Sequence, residues 1–108
     1  MGLITEEKRG AILIWTLDRE ARLNALPDLG DGDEVAAACE RVNADPSIRC
    51  VVLTGAGRAF SAGGDFNYIQ QISQDADLRA KTIADGREIV MGMARCRIPV
   101  IAAVNGPA

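Results

Sequence analysis

The chain of 108 residues contains no histidine and few aromatic residues, with one Trp, one Tyr and two Phe. Without an imidazole it cannot form a Ser–His–Asp or Cys–His catalytic set, because those hydrolases need a group that exchanges a proton near neutral pH. No apolar run approaches the roughly 20 residues of a membrane-spanning helix, and the first residues lack the basic and apolar regions of a signal peptide. We therefore expect a cytoplasmic protein that is neither inserted into a membrane nor exported.

Cysteine and basic residues are also sparse. The thiols of Cys39, Cys50 and Cys96 form no close pair in the sequence, which argues against a disulfide scaffold or a zinc site and fits a reducing compartment. Twelve Lys and Arg against 15 Asp and Glu give a net charge of −3, with no basic block. That balance offers no electrostatic footprint for a polyanion, so we expect no nucleic-acid partner.

Alternating apolar segments predict an α/β chain that forms one domain over residues 1–108. A hairpin is predicted over residues 3–17, with its second strand buried on both faces. An amphipathic helix should follow and end near residues 43–46. The apolar stripe of this helix consists of Val35, Ala38, Cys39 and Val42.

The second half of the chain predicts a βαβ crossover with a parallel sheet, because a second buried strand over residues 50–53 follows the first helix. Asp65 is expected to cap a short helix, and a longer helix should run from about residue 78 to 96. A third buried strand is predicted over residues 99–104. The apolar residues of the two helices are Phe66, Tyr68, Ile69, Ile72, Ile83, Ile89, Val90 and Met93.

Residues 54–65 form a glycine-rich segment between a predicted strand and a predicted helix. The phosphate-binding P-loop needs Gly-Lys-Ser/Thr at the helix start, which is absent, and the dinucleotide pattern needs glycine where Phe60 stands. A nucleophile elbow around Ser61 lacks its first glycine and a histidine. The remaining interpretation is half of an oxyanion hole, in which the backbone at Gly63 and Gly64 approaches a developing negative charge at a helix N-terminus. A plain strand-to-helix turn stays open as the alternative for a glycine pair taken alone.

Three segments of the chain carry motifs in a fixed order. Residues 17–26 read Leu-Asp-Arg-Glu-Ala-Arg-Leu-Asn-Ala-Leu, residues 51–66 contain Ser-Ala-Gly-Gly-Asp-Phe, and residues 98–108 form an apolar run that ends in Asn-Gly-Pro-Ala. Together they resemble the crotonase (enoyl-CoA hydratase/isomerase) superfamily, whose first motif has proline where this chain has Glu20. The resemblance spans nearly the whole chain. It implies a crotonase-like ββα spiral core, of which this sequence is the N-terminal part, truncated before the second glycine-rich turn.

The resemblance implies an enzyme that stabilises the enolate-like oxygen of an acyl-CoA thioester between two backbone N–H groups. It assigns the first donor to Gly64, while the second donor and the general acid and base of the family lie beyond Ala108. Asp65 is expected to cap the helix rather than transfer protons. The implied CoA-binding residues are Ala21, Arg22, Leu23, Ala62, Gly63, Gly64, Asp65 and Phe66. For Arg22, a solvated surface position is the alternative.

The expected reaction is the addition of water to 2-enoyl-CoA, as in fatty acid metabolism. An enoyl-CoA isomerase, another crotonase-type reaction and a truncated, non-catalytic CoA-binding module are the alternatives. Asn67 stands where many hydratases have a basic residue, so weaker contacts with the CoA phosphates are expected. No metal and no cofactor are expected apart from the coenzyme A of the substrate, and the family resemblance implies a homotrimer or hexamer.

Overall fold

The fold is a four-stranded sheet with helices in the connections, and the computed structural model describes residues 2–108. The strands are β1 (Ile4–Arg9), β2 (Ile12–Leu17), β3 (Cys50–Gly55) and β4 (Val100–Ala102). The helices are α1 (Asp31–Ala44), α2 (Phe66–Gln74) and α3 (Ala76–Ala94), with one turn of 3-10 helix over Glu20–Arg22. Within the described range, none of the helices is both long and apolar enough to span a bilayer.

The strand order follows the chain. β1 and β2 pair antiparallel through a two-residue turn in which Gly10 has a φ of 61°, the positive value that such turns require. β2 pairs parallel with β3, and β3 pairs parallel with β4. The predicted hairpin, the βαβ crossover and the parallel sheet are therefore confirmed.

The core lies between the sheet and α1. Trp15 of β2 and Val51 of β3 are fully buried there, and the predicted stripe of α1 packs against them. All four stripe residues are at most 4% exposed, which confirms the helical periodicity: Val35, Ala38, Cys39 and Val42. Burial of a valine side chain such as those of Val35 and Val42 stabilises the fold by about 1.5–3 kcal/mol.

Glycine allows α1 and α3 to approach closely. A Cβ on Gly32 would lie 2.5 Å from the carbonyl oxygen of Asp85, and one on Gly92 would lie 3.2 Å from the Cα of Ala36. Asp85 also accepts a hydrogen bond from the N–H of Gly32 at 3.0 Å, which satisfies a free donor at the start of α1. Gly32 thus serves helix packing, which compensates for its low helix propensity.

Two predicted strands are less buried than expected. Along β2 the side chains alternate, so that Trp15 is buried while Ile14 is half-buried and Ile12 is 43% exposed. β4 is shorter than predicted and its Ile101 is 54% exposed, so the prediction of a buried third strand is wrong. β4 lies at the edge of the sheet with β3 as its single neighbour, which leaves its far side uncovered in the described chain.

The apolar residues of α2 and α3 also divide between core and surface. Ile89 and Met93 pack against the core, whereas Ile83 and Val90 are 68% and 65% exposed. A helix packed on one neighbour buries only one stripe, and the apolar pattern of α3 is wider than the stripe that contacts α1. On α2, Phe66 is 89% exposed and is not part of the core.

Candidate functional site

Two loops meet at one edge of the sheet. The first loop, residues 18–30, follows β2, and the glycine-rich loop, residues 56–65, follows β3. Because β2 and β3 are parallel neighbours, their carboxyl ends release both loops on the same side, which is where open α/β sheets bind ligands.

Backbone hydrogen bonds join the two loops. The N–H of Ala62 donates to the carbonyl of Leu23 at 2.8 Å, and the N–H of Leu26 donates to the carbonyl of Gly63 at 2.9 Å. These two bonds hold the segment before Gly64 alongside the first loop. The sequence motifs that suggested a common site are therefore in direct contact.

Asn24 joins the two loops through its side chain. It is fully buried, with a φ of 56°, a left-handed conformation that Asn tolerates better than most residues. Its Nδ2 donates to the carbonyls of Ala56 and Ala59 at 3.1 and 3.0 Å, and its Oδ1 accepts from the N–H of Arg19 at 2.9 Å. One side chain thus satisfies three backbone groups that burial would otherwise leave unpaired.

Asn105 holds the same loop from the other end of the chain. Its Nδ2 donates to the carbonyls of Gly57 and Ala59 at 3.0 and 3.3 Å, and its Oδ1 accepts from the N–H of Gly55 at 3.0 Å. The carbonyl of Ala59 therefore accepts from both asparagines. We call Asn24, Ala59 and Asn105 the asparagine junction.

An ion pair connects the first loop to α1. Arg19 donates two parallel hydrogen bonds to the carboxylate of Asp31, at 2.8 and 2.9 Å, and a third to the carbonyl of Ala25 at 2.7 Å. The side chains of Arg19 and Asp31 are 16% and 5% exposed. Hydrogen bonding to Asp31 raises the pKa of Arg19, so the guanidinium remains charged in this half-buried position.

Gly63 and Gly64 form the exposed end of the glycine-rich loop. Gly63 has a φ of 78°, which favours glycine. Within residues 2–108 the N–H of Gly64 has no hydrogen-bond partner, and it lies directly before the cap of α2. A Cβ on Gly64 would meet the flexible end of Ile69 at 2.8 Å, so this position could take alanine if the Ile69 side chain turned aside.

Asp65 is the N-cap of α2. One carboxylate oxygen accepts from the N–H groups of Asn67 at 2.8 Å and Tyr68 at 3.3 Å. The N–H of Tyr68, followed by that of Asn67 and the Arg22 side chain, lowers the pKa of Asp65. The predicted capping role is confirmed, and an ionised carboxylate that is fully engaged in this way is unsuited to donate a proton at neutral pH.

Arg22 is paired rather than freely solvated. It donates to both carboxylate oxygens of Asp28, at 2.8 and 3.0 Å, and its Nε donates to Asp65 at 3.2 Å. Hydrogen bonding to Asp28 raises the pKa of Arg22, and the same bond lowers the pKa of Asp28. Its side chain is 38% exposed, and two of the five guanidinium N–H groups are not used in these bonds.

A surface groove of about 470 Å³ lies between the two loops and the start of α2. It contains every residue predicted to contact CoA except Gly63, which belongs to the same loop but does not line the groove. The lining residues are Ala21, Arg22, Leu23, Ala25, Ala62, Gly64, Asp65, Phe66 and Asn67. The geometry therefore brings the predicted residues together, and their contact with CoA stays a prediction.

Asn24 and Asn105 both stand in the sequence motifs, but the motifs indicate no role for either side chain. An Asn at a turn next to an apolar run is a signal for a side chain that bonds to the backbone. Which backbone groups it meets depends on long-range contacts, so this signal alone would not have identified the asparagine junction.

The fold and this site define a crotonase-type α/β chain. Its backbone superposes on the crystal structure of an enoyl-CoA hydratase/isomerase from Mycobacterium paratuberculosis with a TM-score of 0.84 and 56% identity, over all of this chain and 43% of that one. It superposes on the structure of an enoyl-CoA hydratase/carnithine racemase from Magnetospirillum magneticum with a TM-score of 0.86 and 36% identity, over 99% and 40% of the two chains.

Sequence comparison gives the same family. The enoyl-CoA hydratase/isomerase family matches residues 7–108, and the chain belongs to this family. It is 36% identical to a probable enoyl-CoA hydratase of Mycobacterium tuberculosis and 34% identical to the 1,2-epoxyphenylacetyl-CoA isomerase of Escherichia coli. These matches cover 98% and 100% of this chain but 40% and 42% of those proteins, so the chain spans about two-fifths of their length.

Proposed function

We propose that this chain supplies part of the active site of an acyl-CoA enzyme, with hydration of 2-enoyl-CoA as the reaction. The N–H of Gly64 polarises the thioester carbonyl, and water adds across the adjacent double bond. The observation that carries this proposal is the exposed N–H of Gly64, which has no partner in the described chain and stands at the start of α2 next to the groove.

The surroundings of Gly64 suit a donor that must not move. The asparagine junction and the two backbone bonds between the loops position the chain before Gly64, while the Asp65 cap positions the chain after it. A donor held in this way is already oriented when negative charge develops on the thioester oxygen, and loss of one such donor costs about 2.7–4 kcal/mol of transition-state stabilisation.

The groove gives the CoA moiety a place beside this donor. Phe66 presents an apolar surface that is 89% exposed, and Arg22 presents the N–H groups that Asp28 and Asp65 leave free. Since two carboxylates already surround that guanidinium, we expect Arg22 to orient a phosphate more than to attract it. The coenzyme A enters as part of the substrate, and the proposal requires no separate cofactor.

An isomerase is the second candidate, because one of the relatives is named as an isomerase of a CoA thioester. Both reactions use the same polarised thioester oxygen and differ in the groups that move protons. No residue of this chain is proposed as the general acid or base. A non-catalytic CoA-binding module remains the candidate from a different class of protein. Assembly into a homotrimer or hexamer remains a prediction, which a molar mass measured by light scattering would test.

The test compares Gly64→Pro with Gly64→Ala. Proline removes the proposed donor, whereas alanine keeps it and requires only a shift of the Ile69 side chain. We expect the proline variant to lose about 10²–10³-fold in kcat/KM for crotonyl-CoA hydration, followed by the loss of enoyl thioester absorbance. The alanine variant should stay within a few-fold of the parent.

Binding separates the remaining outcomes. The CoA affinity, measured by calorimetry, should be similar for both variants if the donor acts on the thioester oxygen. Their circular dichroism spectra should be similar as well. Full turnover by Gly64→Pro would refute the proposed donor. Turnover has to be measured on the protein that carries this chain together with its general acid and base, and binding of CoA by that protein without any turnover would favour the binding module over the enzyme.

A further inference from the structure

Cys39 and Cys96 pack in the same core cluster although 57 positions separate them in the sequence. Cys39 is on the buried face of α1 and is 2% exposed, while Cys96 follows α3, is half-buried and packs against the same core. The fold therefore brings to one core two thiols that form no close pair in the sequence.

The segment around Cys96 is fixed to the end of α1. Asn43, one helical turn after Cys39, donates from its Nδ2 to the carbonyl of Arg95 at 2.9 Å and accepts at its Oδ1 from the N–H of Arg97 at 2.8 Å. Both chain neighbours of Cys96 are thus held against the helix that carries Cys39.

Met93 contacts both cysteines. The Sγ of Cys39 lies 4.0 Å from the Sδ of Met93, and the backbone N–H of Cys96 donates to the carbonyl of Met93 at 3.2 Å. Burial and the neighbouring Cys96 raise the pKa of Cys39 to about 11, so this thiol stays protonated at neutral pH. The third thiol, Cys50, is on β3 and donates to the carbonyl of Val51 at 3.6 Å.

We propose that Cys39 and Cys96 form a modification site at which hydrogen peroxide oxidises the two thiols to a disulfide. Cys96, the more exposed thiol, attacks one peroxide oxygen; the O–O bond breaks, a water molecule leaves and a sulfenic acid forms. The Cys39 sulfur then attacks the Cys96 sulfur. The S–O bond breaks, and the displaced hydroxide takes the Cys39 proton and leaves as a second water molecule.

The balance is two thiols and one peroxide giving one disulfide and two water molecules. The sulfur atoms lose two electrons, and the peroxide oxygens gain them. The new bond would tie α1 to the segment between α3 and β4, and it would be reversed by a thiol reductant.

Trypsin digestion provides the test, because each cysteine lies in a different fragment: residues 23–41, 50–58 and 96–97. The folded chain is treated with a small excess of hydrogen peroxide, alkylated, digested without reduction and examined by mass spectrometry. We expect the peptide over residues 23–41 to appear linked to the Cys96–Arg97 dipeptide, and dithiothreitol to abolish the linked species.

Three variants sharpen the result. Cys50→Ser is the matched control and should form the same linked species. Cys96→Ser should not form it. In Cys39→Ser the oxidation should stop at the sulfenic acid, so that dimedone labels the 96–97 fragment. Circular dichroism before oxidation establishes that each variant is folded.

Several results would overturn the proposal. They are a link that includes residues 50–58, a covalent dimer as the main product, or overoxidation of Cys96 in the parent chain while Cys39 remains a free thiol.

Discussion

The groove and the asparagine junction lie side by side, and they differ in whether their backbone polar groups have hydrogen-bond partners. At the junction, carbonyls and N–H groups of both loops are paired with amide side chains, and Ala59 receives two donors. At the groove, the N–H of Gly64 has no partner within the described residues. The comparison indicates that the unpaired donor is held in place by the paired groups behind it, which is the arrangement that a binding site for developing charge requires.

The largest effect on stability is expected from Asn24→Ala, which removes the buried side chain of the asparagine junction. The substitution leaves the carbonyl of Ala56 and the N–H of Arg19 without their partner in a buried site, while the carbonyl of Ala59 keeps only the bond from Asn105. We expect the free energy of unfolding to fall by about 3 kcal/mol, as for other losses of a buried hydrogen-bond network. Urea denaturation measures this change, and a loss below about 1 kcal/mol would show that the junction is not a stabilising element.

Asp31→Asn should have the next largest effect, because it leaves the guanidinium of Arg19 without its anionic partner in a half-buried position. We expect a loss of about 2 kcal/mol in the free energy of unfolding. Asp33→Asn is the matched control, since Asp33 lies in the same turn of α1 but is exposed. Equal losses in the two variants would mean that the charge of the first helical turn matters and the ion pair does not.

Asn105→Ala tests the outer side of the junction. Asn105 makes bonds similar to those of Asn24 but is exposed, so water can replace much of what is lost. We expect about 1 kcal/mol of destabilisation, measured in the same urea titration. A loss as large as that of Asn24→Ala would contradict the distinction between the buried and exposed asparagines.

Phe66→Ala should have the smallest effect on stability, within about 0.5 kcal/mol, because its ring is 89% exposed. On the proposed function, the same change should weaken CoA binding several-fold in calorimetry. Val90→Ala, at 65% exposure on α3, is the control that should alter neither quantity. If both variants bound CoA as the parent chain does, Phe66 would be no part of the binding surface.

Sequence reasoning was most successful where the signal is local. The stripe of α1 follows from a 3.6-residue period, and the capping role of Asp65 follows from its place before an apolar run. The exposure of Ile101 and Val90 did not follow, because an apolar residue is buried only if another element covers it. Local sequence patterns do not specify which element, if any, packs over a given residue.

Within the site, the motifs predicted which segments meet but not what holds them together. Ala21, Arg22 and Leu23 do face the glycine-rich loop across the groove. The contacts of Asn24 and Asn105 with Ala59, and the pairing of Arg19 with Asp31, join positions far apart in the chain. Such partners depend on the final geometry and lie outside what residue spacing can indicate.

The shared carbonyl of Ala59 also constrains the order in which the chain can fold. Its two donors, Asn24 and Asn105, stand 35 positions before it and 46 positions after it, so both hydrogen bonds exist only after three distant segments of the chain have come together. Contacts of such long sequence separation form late, because loop closure costs entropy before any contact is gained. A nascent chain could therefore hold its hairpin and first helix while the glycine-rich loop still lacks its final shape, and ligand binding would report the completion of folding rather than its beginning.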